Sequence, residues 1–125
     1  MRVHHIAFRT EDPEALSHFY ENVLGLARIR EQPGYSIWFD LGASVLMLEK
    51  RSEGEPSIRP DSMDMIAFQV SEVQRQVLGE KLVQYGAEIE DAGQYTTYFR
   101  DPDGRRIGIS HYDFAHRSTG DLDRS

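Results

Sequence analysis

The chain has no cysteine among its 125 residues. This excludes a disulfide scaffold, any thiolate metal site and any thiol nucleophile, and it gives no sign of export. No apolar run approaches the roughly 20 residues that cross a bilayer. The opening Met1-Arg2-Val3-His4-His5 leads straight into an apparent strand, so no signal peptide is expected. Positive charge is scarce: 14 Lys and Arg stand against 21 Asp and Glu, a formal charge of −7. Nucleic acid selects clustered cations and is not an expected partner, and neither is a membrane. Gly-rich phosphate loops and activated nucleophiles are also missing. The expectation is a cytoplasmic chain whose partner is a small molecule, with length enough for one domain.

What is present is a repeat. His5-Ile6-Ala7-Phe8 returns as Met65-Ile66-Ala67-Phe68, and Trp38-Phe39-Asp40 returns at the same offset as Tyr98-Phe99-Arg100. Leu24-Gly25-Leu26-Ala27 returns as Tyr85-Gly86-Ala87-Glu88, shifted by one residue. Three matches in one order identify two copies of one unit, about 2–50 and 63–112. Between them the Ser-, Pro-, Glu- and Gly-containing segment 52–62 reads as a linker. The polar tail 115–125, with Leu122 its one large apolar residue, follows a domain spanning 1–114.

Each copy reads as strand, helix and three strands. The first strands are Val3–Phe8 and Met65–Val70. In the first copy Asp12 suits an N-cap and Pro13 the first helical position. Leu16, Phe19, Tyr20 and Val23 form the apolar stripe, and Gly25 supplies a left-handed stop. In the second copy Ser71 and Gln74 have capping-box spacing, Val73, Val77, Leu78, Leu82 and Tyr85 form the expected stripe, and Gly86 ends it. The remaining strands fall at about Ala27–Gln32, Tyr35–Leu41 and Ser44–Lys50, then Glu88–Glu90, Gln94–Arg100 and Arg105–Tyr112, with Asp101-Pro102-Asp103-Gly104 as the last turn.

Three pieces together, Val3-His4-His5-Ile6-Ala7-Phe8, Phe19-Tyr20-Glu21-Asn22-Val23-Leu24-Gly25-Leu26 and Phe99-Arg100-Asp101-Pro102-Asp103-Gly104, resemble the vicinal oxygen chelate superfamily of glyoxalases, bleomycin resistance proteins and extradiol dioxygenases. The resemblance implies an α+β fold in which two βαβββ repeats form a cupped, barrel-like mixed sheet. It implies a homodimer as well, because cup edges leave strands unpaired. Members of that family hold a divalent ion through side chains on the first and last strands of each copy. Carried over residue by residue, the four positions are His5, Met47, Met65 and Gly108. Only His5 is a good donor. A thioether is a soft, weak ligand for Mg, Mn or Fe, and glycine offers none, so no metal cofactor is expected. If a divalent metal is held at all, His5 and Glu49 are its candidate ligands. Strand parity puts His4 and His111 on the opposite face from His5 and Ser110.

Parity also selects the residues expected to line a ligand site: His5, Arg9, Trp38, Met47, Glu49, Met65, Gln69, Tyr98 and Ser110. Arg9 and Glu49 are expected either to anchor charged groups or to pair with each other. Met47 and Met65 offer flexible apolar surface, and Trp38 with Tyr98 offers aromatic platforms. The reading that follows is binding or sequestration of a small aromatic or hydrophobic molecule without a complete metal site. Its alternatives are a lyase, isomerase or oxygenase using a relocated metal around His5 and Glu49, and a ligand-free structural or regulatory dimer.

Overall fold

A computed structural model describes residues 1–116 of the chain, whose elements form two compact units divided between Ile58 and Arg59. Each unit is one βαβββ repeat, and the repeats share register and faces. Residues 117–125, including Leu122, lie outside the described residues.

In the first unit β1 (His5–Thr10) leads into α1 (Pro13–His18), which continues as a π turn over Phe19–Val23. Asp12 Oδ1 accepts from the Ala15 amide at 3.1 Å with Pro13 behind it, so the N-terminal signals act as expected. The strands β2 (Ala27–Gln32), β3 (Ser36–Asp40) and β4 (Val45–Lys50) complete a sheet of order β1-β4-β3-β2. Its β1–β4 pair is parallel, and the others are antiparallel. Phe8, Ile37, Phe39, Leu46 and Leu48 are buried, as are Leu16, Phe19, Tyr20 and Val23 of the helical segment. Full burial of such side chains is worth about 1.5–3 kcal/mol each.

The second unit repeats this with β5 (Met65–Gln69), α2 (Glu72–Tyr85), β6 (Ile89–Ala92), β7 (Thr96–Arg100) and β8 (Arg106–Ser110), in the order β5-β8-β7-β6. The Ser71–Gln74 capping box forms, and Gly86 ends the helix at φ 86°. The apolar stripe of α2, however, is not the expected one. Val73, Val77 and Tyr85 are 69%, 48% and 53% exposed, while Leu82 is fully buried. The covered face is Arg75, Leu78 and Leu82. Arg75 sets it by donating to Thr97 Oγ1 at 2.9 Å and to the carbonyls of Gln94 and Gly93 at 2.8 and 2.6 Å. Those carbonyls belong to the β6–β7 turn, and the three bonds fix Arg75 on the covered face of the helix.

The repeat extends to an irregularity. In both units the second strand carries one extra residue, Ile29 between Arg28 and Arg30, and Glu90 between Ile89 and Asp91. Such a bulge reverses the alternation beyond it. No described helix is long and apolar enough to cross a membrane.

Candidate ligand-binding faces

In the first unit, register rather than local sequence assembles the face away from the helix. Ala7, Met47 and Trp38 form one row across β1, β4 and β3, and Arg9, Glu49 and Ser36 form the next. His5 begins the first strand on the same side. Five of the expected site residues, His5, Arg9, Trp38, Met47 and Glu49, thus share one surface. The bulge at Ile29 adds Arg30, whose register partner is Trp38 and whose guanidinium lies 4.7 Å from that ring's centre. Among the described residues Arg30 has no carboxylate partner.

Arg9 is held by three neighbours on this face. Its Nε and Nη2 donate to the Glu55 carboxylate at 3.1 and 2.8 Å, and its Nη1 donates to Glu49 at 3.4 Å. Ser52 adds its amide to Glu55 at 3.1 Å and its hydroxyl to Arg9 at 3.5 Å. The hydrogen bonds from Arg9 and the Ser52 amide pull the Glu55 carboxyl down to about 2. The first residues of the expected linker 52–62 are therefore a clasp on the sheet of the first unit. Of the two roles open to Arg9 and Glu49, mutual pairing is the geometry found.

His4 is the partner of His5. It lies just before β1, where strand alternation does not apply, and its Nδ1 sits 2.9 Å from His5 Nδ1. The ring centres are 5.2 Å apart, which exceeds the nitrogen separation by about two ring radii. The two nitrogens therefore face each other and share a proton, instead of converging on a third atom.

In the second unit three rows cross the corresponding face: Met65, Arg106 and Arg100; Ala67, Gly108 and Tyr98; Gln69, Ser110 and Thr96. Met65, Gln69, Tyr98 and Ser110, all expected site residues, line one mainly apolar pocket of about 180 Å³ together with Ala67, Phe68, Thr96, Tyr112 and Phe114. Ser110 Oγ accepts from the Thr96 hydroxyl at 2.7 Å and from the Tyr112 amide at 3.2 Å, so it is a settled structural hydroxyl. At the pocket's edge Arg106 lies over the Tyr98 ring, 4.3 Å from its centre. Its Nε donates to Glu90 at 3.1 Å, and Arg100 donates to the other oxygen of Glu90 at 2.9 Å. Hydrogen bonding from Arg100, reinforced by Arg106, holds the Glu90 carboxyl below the usual range.

The two positions where the resemblance calls for metal ligands in this unit are occupied by one packing arrangement. A Cβ at residue 108 would lie 2.7 Å from Met65 Cε, 3.3 Å from Thr96 Cγ2 and 3.4 Å from Ala67 Cβ. The methionine tip covers the glycine, so any side chain at 108 must first displace it. In the first unit His5 is engaged by His4, and Glu49 by Arg9. Among the described residues no group of three or more His, Asp or Glu is placed to hold a metal ion. Within each unit the described residues do not supply the three or so good donors that a divalent ion needs.

Sequence reasoning missed Glu55, Arg30, Glu90 and Arg106. Arg106 was within reach, because it stands two residues before Gly108 on the same strand face. Arg30 and Glu90 were not, because a bulge carries no clear local signal. Nothing around Glu55 marked it as a partner of Arg9.

The fold agrees with the similarities to known proteins. The chain is 29% identical over 111 residues to metallothiol transferase FosB of Lysinibacillus sphaericus, covering 84% of this chain and 78% of that one. Its fold matches the E126Q mutant of the fosfomycin resistance protein FosX of Listeria monocytogenes, complexed with Mn(II) and 1S,2S-dihydroxypropylphosphonic acid, with a TM-score of 0.79 at 17% identity over 95% of this chain and 96% of that chain. It matches a glyoxalase/dioxygenase of Nostoc punctiforme with a TM-score of 0.74 at 25% identity over 86% and 88%. A family model matches residues 2–109, which takes in both βαβββ repeats, and the chain accordingly belongs to the Glyoxalase/Bleomycin resistance protein/Dioxygenase superfamily.

Proposed function

We propose that this chain binds a small, flat organic molecule on the faces described above, without a complete metal site. The observation that carries this reading is the Met65 tip seated over Gly108. Of the two positions that would hold a hard cation, Met65 lines an apolar pocket beside Tyr98 and its methyl covers the other, Gly108. Methionine and aromatic surface suits a ring better than a hydrated ion. Two measurements test the reading. Protein purified without chelator should hold less than about half an equivalent of Fe, Mn, Zn or Ni, with His5→Ala as control. Titration with single-ring aromatic compounds, followed by amide NMR, should shift Ala67 and Gly108, and Met65→Glu should weaken the binding of whichever compound binds there. A stoichiometric metal lost in His5→Ala would overturn it.

The 29% identity to a metallothiol transferase favours a second reading, an enzyme of the same superfamily. In that case the metal would need His5 and Glu49, so Glu49 would have to leave Arg9. Stoichiometric metal bound by the wild type and lost in Glu49→Gln would support this reading over the first.

A further inference from the structure

The second unit's face carries more positive charge than it cancels. Arg100 and Arg106 share the single carboxylate of Glu90, which leaves one net positive charge among the three. Arg100 is buried and also donates to the carbonyls of Ser62 and Gly104, so its guanidinium is committed to the fold. Arg106 is committed only through Nε. Among the described residues no oxygen accepts from its two Nη groups. Its place is fixed all the same, by Glu90 on one side and the Tyr98 ring beneath. A guanidinium held in this way has donors ready for a planar or tetrahedral anion.

The neighbouring pocket sets the rest of the ligand. Met65 is the direct register partner of Arg106, and Tyr98 is its stacking partner; both line the pocket of about 180 Å³. An apolar cavity on the order of 150 Å³ takes up benzene. Space for one ring thus adjoins a guanidinium with unused donors. The first unit repeats the pattern, with Arg30 over Trp38 at the place equivalent to Tyr98 and no carboxylate partner among the described residues. In a chain of formal charge −7, two arginines left short of carboxylates over equivalent aromatics are not a by-product of surplus cations.

We propose that the pocket of the second unit takes a single-ring molecule bearing an anionic group, a carboxylate, phosphate or phosphonate, with the ring between Met65 and Tyr98 and the anion on the Nη groups of Arg106. This deepens the binding function proposed above and rests on it. The test uses the full chain at pH 7, titrated with benzoate, with phenylphosphonate and with neutral benzyl alcohol, and followed by amide NMR. Both anions should bind about tenfold more tightly than the alcohol. Arg106→Gln should remove that preference, so that anions and alcohol bind alike. Glu90→Gln removes the competing carboxylate and should raise anion affinity, which keeps the test decisive if Arg106→Gln perturbs the fold. Equal binding of anions and alcohol, or a preference that survives Arg106→Gln, overturns the anion assignment and leaves the binding function standing. Failure of all three compounds to bind overturns both.

Discussion

Met65 and Gly108 are coupled across the parallel β5–β8 pair: the methionine's terminal methyl occupies the space into which any side chain at 108 would project. Each residue makes sense only in the presence of the other. A flexible thioether fills the gap above a glycine, and the glycine, which costs about 0.5–1 kcal/mol in a strand interior relative to alanine, leaves the room.

This coupling is measurable. Gly108→Ala should destabilise the protein by about 1 kcal/mol, a modest overpacking cost because the obstructing atom is the end of a flexible side chain. In a Met65→Ala background the same change should cost clearly less, since the 2.7 Å clash is gone and the 3.3 Å approach to Thr96 Cγ2 is the tightest contact left. Urea unfolding of the four proteins gives the interaction energy. Additivity within about 0.3 kcal/mol would mean that the two residues do not oppose each other.

The packing of α2 makes a contrasting pair of expectations. Arg75→Met removes three hydrogen bonds, two of them to carbonyls of the β6–β7 turn, and should cost about 2 kcal/mol. Val77→Ala lies on the outward face and should change stability by less than about 0.5 kcal/mol. The reverse ranking in thermal or urea unfolding would restore the valine stripe as the core face.

The Glu55 clasp predicts a pH signature. Its carboxyl titrates near 2 in the folded chain, below its ordinary value of about 4.3 when unfolded. The unfolded state therefore binds the proton first, and the stability from this group is complete above about pH 5 and is lost as pH falls toward 2. Glu55→Gln should flatten that part of the curve. Melting temperatures measured from pH 6 to pH 2.5 decide the matter, and parallel curves for wild type and variant would show that the clasp does not form in solution.

Each sheet ends in strands with one free side, β1 and β2 in the first unit and β5 and β6 in the second. Pairing or covering such edges is a common reason for self-association. Sedimentation at micromolar concentration should find a homodimer, and a species of only 14.4 kDa would count against it.

Much of the fold was written in local patterns. The Asp12-Pro13 start, the Ser71–Gln74 capping box and the left-handed stops at Gly25 and Gly86 depend on a few neighbouring residues, and all appear where the sequence places them. Period-two alternation likewise put Met65, Gln69 and Ser110 on one face, because a strand presents its side chains to two sides only. The repeat itself revealed the matching places of Trp38 and Tyr98.

What the tertiary structure decided is who meets whom. The valines of α2 were a sound apolar stripe by composition, but they are exposed, and the face that carries Arg75 meets the carbonyls of Gly93 and Gln94. His4, just outside the strand, meets His5 through their Nδ1 atoms. Glu55, forty-six residues from Arg9, closed on it through a loop that looked like a spacer. The bulges at Ile29 and Glu90 set Arg30 over Trp38 and Glu90 between two arginines, and one inserted residue reverses every face beyond it. Hydrogen bonding and alternation act over a few residues and are legible in sequence. The pairing of charges and the filling of space over Gly108 act across strands and loops, and only the folded chain brings those partners together.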